Sequence, residues 1–118
     1  MTNPTKHAVF DTEHISNTYG IEDPETIRGF YVLYVKMLAE LKEAVTATEM
    51  AVHDMEKIAF LSHKLKSTSF SVGAPALGHL LTDMERAAKT QSEDLEDLLS
   101  MFTNLSQETL DSINRHMG

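Results

Sequence analysis

At 118 residues the chain suits one hydrophobic core rather than two, and 42% apolar with 24% charged residues is the composition of a globular domain, not a disordered one. Eighteen acidic against ten basic residues give a formal charge of -8, which repels a phosphate backbone and argues against a nucleic-acid partner, while the absence of cysteine excludes disulfides, thiolate zinc sites and cysteine nucleophiles. No apolar run approaches the roughly 20 residues that span a bilayer, and residues 1–10 lack the basic start and apolar stretch of a signal peptide, so no membrane contact and a cytoplasmic location are expected.

Residues 1–10 show no periodicity and are expected to form a flexible terminus, with a single domain over 11–118. A short helix is predicted over 11–19, with Phe10, Ile15 and Tyr19 turned inward and Gly20 as its stop. Asp23 followed by Pro24 then places a side-chain cap before a proline at the first helical position, and Glu25 adds favourable charge at the helix start. From there Ile27, Phe30, Tyr34, Leu38, Leu41 and Val45 recur every three or four residues, with Leu33 and Met37 beside them, so one wide apolar face runs almost to Thr48. Asp54 is the expected cap of the next helix, which turns Met55, Ile58, Leu61 or Ser62, Leu65, Ser69 and Val72 inward and ends near Gly73. Pro75 opens a further helix carrying Leu77, Leu80, Leu81, Met84 and Ala88 on one face, with Arg86 and Lys89 complementing the dipole at its end. Ser92 is the expected cap of the last, which has Leu95, Leu98, Leu99, Phe102, Leu105, Thr109 and Ile113 at helical spacing. Four amphipathic helices joined by short connections predict an all-α fold, an antiparallel up-down four-helix bundle with a short additional N-terminal helix across one end. With no leftover heptad seam, a monomer is expected.

The segment from His63 to Leu77 is the most informative, because it is too polar for an ordinary core helix. Helical spacing groups Ala59, Phe60, His63, Lys66, Ser67 and Phe70 on a face turned away from the apolar stripe, which points His63 outward. An exposed neutral imidazole, which ordinarily titrates at about pH 6.5, is a nucleophile near neutral pH, and a lysine one turn later can neutralise a phosphoryl group attached to it. Serine and threonine at 67, 68, 69 and 71 are poor helix fillers; small side chains there leave room for a second protein to approach His63.

In these residues the sequence resembles the histidine-containing phosphotransfer family of two-component phosphorelays. Its signature is a histidine, any residue, an aliphatic residue, lysine, small residues, and Gly-Ala followed by leucine. His63, Leu65, Lys66, Ser69, Gly73, Ala74 and Leu77 fall at that spacing, and Met84-Glu85 continues the downstream helix. Asp54 and the aspartate after Phe10 are similar to the family's outer features, whereas Ser67 stands where the family often has glycine. The resemblance implies reversible phosphoryl transfer from a receiver-domain aspartate to Nε2 of His63 and onward to another receiver. It implies His63 as phosphoacceptor and Lys66 as the cation that neutralises the phosphate. The candidate partner-binding residues on the His63 side are Ala59, Phe60, Lys64, Ser67 and Phe70, with Phe60 and Phe70 either packing residues or, where exposed, docking contacts. The expected partners are receiver domains of response regulators or hybrid histidine kinases. The receiver contributes the magnesium ion, so this chain needs no cofactor of its own.

No Gly-x-Gly-x-x-Gly or Walker-type loop occurs, so neither ATP binding nor autokinase activity is expected, and the protein is read as a covalent carrier rather than an enzyme. His7, His14, His53, His79 and His116 show no His-Glu-x-x-His spacing, and those in the tails are expected in solvent. A di-iron bundle would need inward glutamates and two Glu-x-x-His motifs, which are missing. The competing reading is a noncatalytic helical adaptor that binds a receiver or kinase through the same face.

Overall fold

The computed structural model describes residues 7–117, and the described residues form five helices without a strand. They are α1 (His14–Tyr19), α2 (Pro24–Ala47), α3 (Val52–Val72), α4 (Pro75–Lys89) and α5 (Leu95–Met117). α2 packs on α3 and α5, α4 packs on the same two, and α1 rests on α3, so the four long helices enclose one core. At its centre lie Tyr34, Leu38, Leu41, Ile58, Leu65, Leu77, Leu81, Met84, Leu95 and Phe102. None of the helices is long and apolar enough to cross a membrane.

The helix boundaries follow the local chemistry of the chain. Gly20 stops α1 in the left-handed region at φ 68°. Asp23 caps α2, its carboxylate accepting from the Thr26 amide at 3.1 Å and the Thr26 hydroxyl at 2.6 Å. α3 ends where Gly73 takes φ 96°, its amide donating to Phe70 O while the Ala74 amide donates to Ser69 O at 2.8 Å. Pro75 then occupies the first turn of α4, where a missing N–H leaves nothing unpaired. This two-residue connection folds α4 back along α3, and the two make the most extensive helix contact of the molecule.

Several expectations needed correction. Phe30 and Leu33 are exposed and Tyr31 is buried in their place: α2 is covered by α3 and α5, which rotates its buried arc one residue away from the apolar pattern. Tyr19 is likewise 54% exposed, so of the predicted inner residues of α1 Ile15 alone is fully buried, with Phe10 partly so. Asp54 is not the cap of α3; the helix begins at Val52, and the Asp54 carboxylate accepts the Glu49 amide at 3.0 Å from within the first turn. Ser92 is not a cap of α5 itself, which starts at Leu95; its hydroxyl accepts the Asp94 amide at 3.2 Å in the preceding turn. Of the segment expected to be flexible, residues 1–6 lie outside the described residues. Residues 7–10 run against the start of α4, where Ala8 O accepts the Ala76 amide at 3.1 Å and His7 stacks on His79 at 3.9 Å rather than facing solvent. His116 is exposed, with its ring edge-on to Tyr31 and Phe10.

Gly73 is the tightest point of this arrangement. A Cβ there would lie 2.6 Å from Asp11 O and 2.7 Å from His14 Cβ, on a backbone at positive φ. Gly73→Ala should therefore destabilise the fold by about 2 kcal/mol or more. By contrast Gly29→Ala, in α2 with nothing within 4 Å of the new methyl, should be neutral or stabilising by up to about 1 kcal/mol. Urea unfolding of both variants checks this, and equal midpoints would contradict it.

Candidate functional site

α3 buries Met55, Ile58, Leu61, Ser62, Leu65, Ser69 and Val72, and Ser69 on that face is held both by the helix itself and by a neighbour. Ser69 Oγ donates to Leu65 O at 3.0 Å, so the Tyr34 hydroxyl, 2.7 Å away, donates to Ser69 Oγ. The opposite edge of α3 carries His63, whose side chain is 66% exposed. Gly73 and Ala74 lie midway in sequence between His63 and Glu85, so the tight connection lays Glu85 of α4 beside His63 and Lys66 of α3.

Glu85 organises the site. It sits one turn after Leu81 and one before Ala88, at the border of the buried face of α4, and is only 6% exposed. Its Oε1 accepts from Lys66 Nζ at 2.6 Å, and its Oε2 accepts from Lys89 Nζ at 2.6 Å and lies 2.9 Å from His63 Nδ1. Burial alone would raise the pKa of this carboxyl. The hydrogen bonds from Lys66 and Lys89 and the charge of Lys66 outweigh that, and the pKa falls from 4.5 to about 2. Glu85 is thus ionised at neutral pH and can only accept hydrogen bonds. In the neutral ring the hydrogen is therefore on Nδ1, donating to this carboxylate, and the lone pair is on Nε2 of the exposed ring. One carboxylate between two ammonium groups leaves a surplus of one positive charge beside that nitrogen.

The structure brings some of the candidate residues together and disperses others. Phe60 is 61% exposed and, with Val52, His63, Lys64 and Lys89, borders an open cavity between α3 and the end of α4. Ser67 is exposed on the same side. Phe70 is half covered: its ring lies over Gly78, where a Cβ would meet it at 2.8 Å, and stands edge-on to His79 at 5.1 Å. Lys66 is not free at the surface but bound to Glu85, its side chain 27% exposed. Ala59 is a correction: expected on the open face, it is 5% exposed on the side of α3 that α4 covers, where its methyl lines the floor of the same cavity with Ala88. Glu85 and Lys89 were not among the candidates. The available signal was an acid at the edge of an apolar helical face with a lysine one turn later.

A family model described as Hpt domain matches residues 32–108, a stretch that includes His63, Lys66, Glu85 and Lys89. No curated protein and no solved structure matches the chain significantly.

The low pKa of Glu85 makes stability depend on pH in a defined direction. The folded state binds this proton less tightly than the unfolded state, so the contribution is complete above pH 4.5 and is lost as pH falls through about 2. Urea unfolding of wild type and Glu85→Gln between pH 6 and pH 2 should show the stability difference shrinking across that window. A difference that stays constant with pH would contradict the assignment.

Proposed function

The chain belongs to the Hpt domain family, and from that premise we propose that it is a phosphorelay intermediate whose His63 accepts a phosphoryl group from a receiver-domain aspartate and passes it to another receiver. Hpt domains are phosphocarrier modules of two-component phosphorelays, and their family interacts with receiver domains. The observation that carries the residue assignment is the 2.9 Å contact between His63 Nδ1 and Glu85, because it presents Nε2 as the nucleophile.

In the proposed step the Nε2 lone pair attacks the phosphorus of the receiver's acyl phosphate. The Nε2–P bond forms as the P–O bond to the aspartate breaks, and the aspartate leaves as a carboxylate. No proton has to leave Nε2, since the ring hydrogen already sits on Nδ1. Positive charge develops on the ring, and the Glu85 carboxylate stabilises it. Lys66, one turn beyond His63, adds positive charge to the site while anchored on Glu85. The partner receiver supplies magnesium, and this chain binds no nucleotide. The exposed Phe60, Lys64, Ser67 and Phe70 form the docking side. The four long helices are read as an antiparallel up-down bundle, supported by their short connections and neighbour-on-neighbour packing.

Incubation with a phosphorylated receiver and magnesium should label His63 as an acid-labile, base-stable phosphoramidate, and a second receiver should remove the label. His63→Gln keeps polar bulk on the surface of α3 and removes the nucleophile, so helicity should persist while labelling disappears. Label retained on that variant would move the acceptor elsewhere and leave His63 as part of an adaptor surface.

A further inference from the structure

We propose that Lys89, rather than Lys66, is the cation that touches the phosphoryl group on His63, moving to it from Glu85 as the group arrives; the inference rests on the carrier reading above. The two lysines hold Glu85 at the same distance, 2.6 Å, yet their situations differ in three ways.

The first is the bonding of the carboxylate. Oε2 is shared by Lys89 and His63, whereas Oε1 has Lys66 as its partner. If Lys89 leaves, each oxygen keeps one donor. If Lys66 leaves, an oxygen on a side chain only 8% exposed is stripped of its hydrogen bond, and a buried unsatisfied acceptor on a charged group is among the more destabilising single defects. The network therefore releases Lys89 far more readily than Lys66.

Exposure and reach point the same way. The Lys89 side chain is 62% exposed and that of Lys66 27%, so Lys89 has the freedom to swing while Lys66 is packed in place. Lys89 also borders the same open cavity as His63, on the last turn of α4, and Lys66 does not. Because Lys89 Nζ and His63 Nδ1 contact one oxygen, they cannot be further apart than the sum of 2.6 and 2.9 Å, so the ammonium starts beside the ring and rotation of its flexible stem brings it towards a group on Nε2. The phosphoryl group competes successfully for that ammonium, as it carries more charge than the carboxylate and presents three acceptor oxygens in solvent. Lys66 stays on Oε1, keeps Glu85 ionised and so preserves the orientation of His63. Lys89 is in this sense a catalytic residue and Lys66 a positioning residue.

The test compares Lys89→Ala, Lys89→Arg and Lys66→Ala with wild type, using a phosphorylated receiver with magnesium and, in parallel, phosphoramidate as a small donor that needs no docking. Lys89→Ala should slow His63 labelling about fivefold with both donors while lowering the urea midpoint less than Lys66→Ala does, because each Glu85 oxygen keeps one donor, and Lys89→Arg should restore most of the rate. The phosphohistidine 31P resonance of Lys89→Ala should titrate at higher pH than wild type, because the dianion has lost its cation. Lys66→Ala should lower the urea midpoint further than Lys89→Ala, since it strips Oε1 of its hydrogen bond. Labelling of Lys89→Ala within about 1.5-fold of wild type with phosphoramidate would overturn the proposal, whether or not receiver transfer is slowed, since a loss confined to the receiver makes Lys89 a docking residue. A His63→Gln control that labels like wild type would overturn the carrier reading itself.

Discussion

An ionised carboxylate buried between two helices is the constraint on which the rest of this site depends. Taking Glu85 out of water costs several kcal/mol unless its oxygens are met by donors. Three donors meet them, from Lys66 and His63 on α3 and from Lys89 on its own helix. The same contacts that make the burial tolerable also fix the tautomer of His63 and surround its ring with net positive charge. Breaking the α3–α4 register would strand the carboxylate, so the fold and the orientation of the imidazole are secured by one set of hydrogen bonds.

The route from sequence to that constraint passes through a few punctuating residues. Gly73, held at positive φ and closed over by Asp11 and His14, and Pro75 at the first turn of α4 set the length of the α3–α4 connection. With the connection fixed, residues equidistant from it meet across the seam. Gly78 contributes in a related way, since its missing side chain gives the Phe70 ring a bed on α4 and leaves one edge of that ring at the surface beside the His63 face.

The helices were legible because their starts and stops are written locally: Asp23-Pro24, Gly20, Gly73 and Pro75 all act within a few residues. His63 and Lys66 were legible through their pattern and their family resemblance. In the sequence Glu85 reads only as a continuation of the downstream helix, because its meaning lies in a partner 22 positions away that helical periodicity does not record. The same limit explains Ala59 and Phe30. Each sits at the edge of a helical face, where the neighbouring helix rather than the sequence decides what is covered. It also explains why Lys66 reads as a free surface cation in sequence and is an anchored one in the fold.

The central claim is that Glu85 holds His63 with its hydrogen on Nδ1 and its lone pair on Nε2. Long-range 1H–15N NMR of the imidazole in the unphosphorylated wild-type protein, at a pH where the ring is neutral, tests it most directly. The expected result is a protonated Nδ1 and an unprotonated Nε2 for His63. A ring that carries its hydrogen mainly on Nε2 would contradict it.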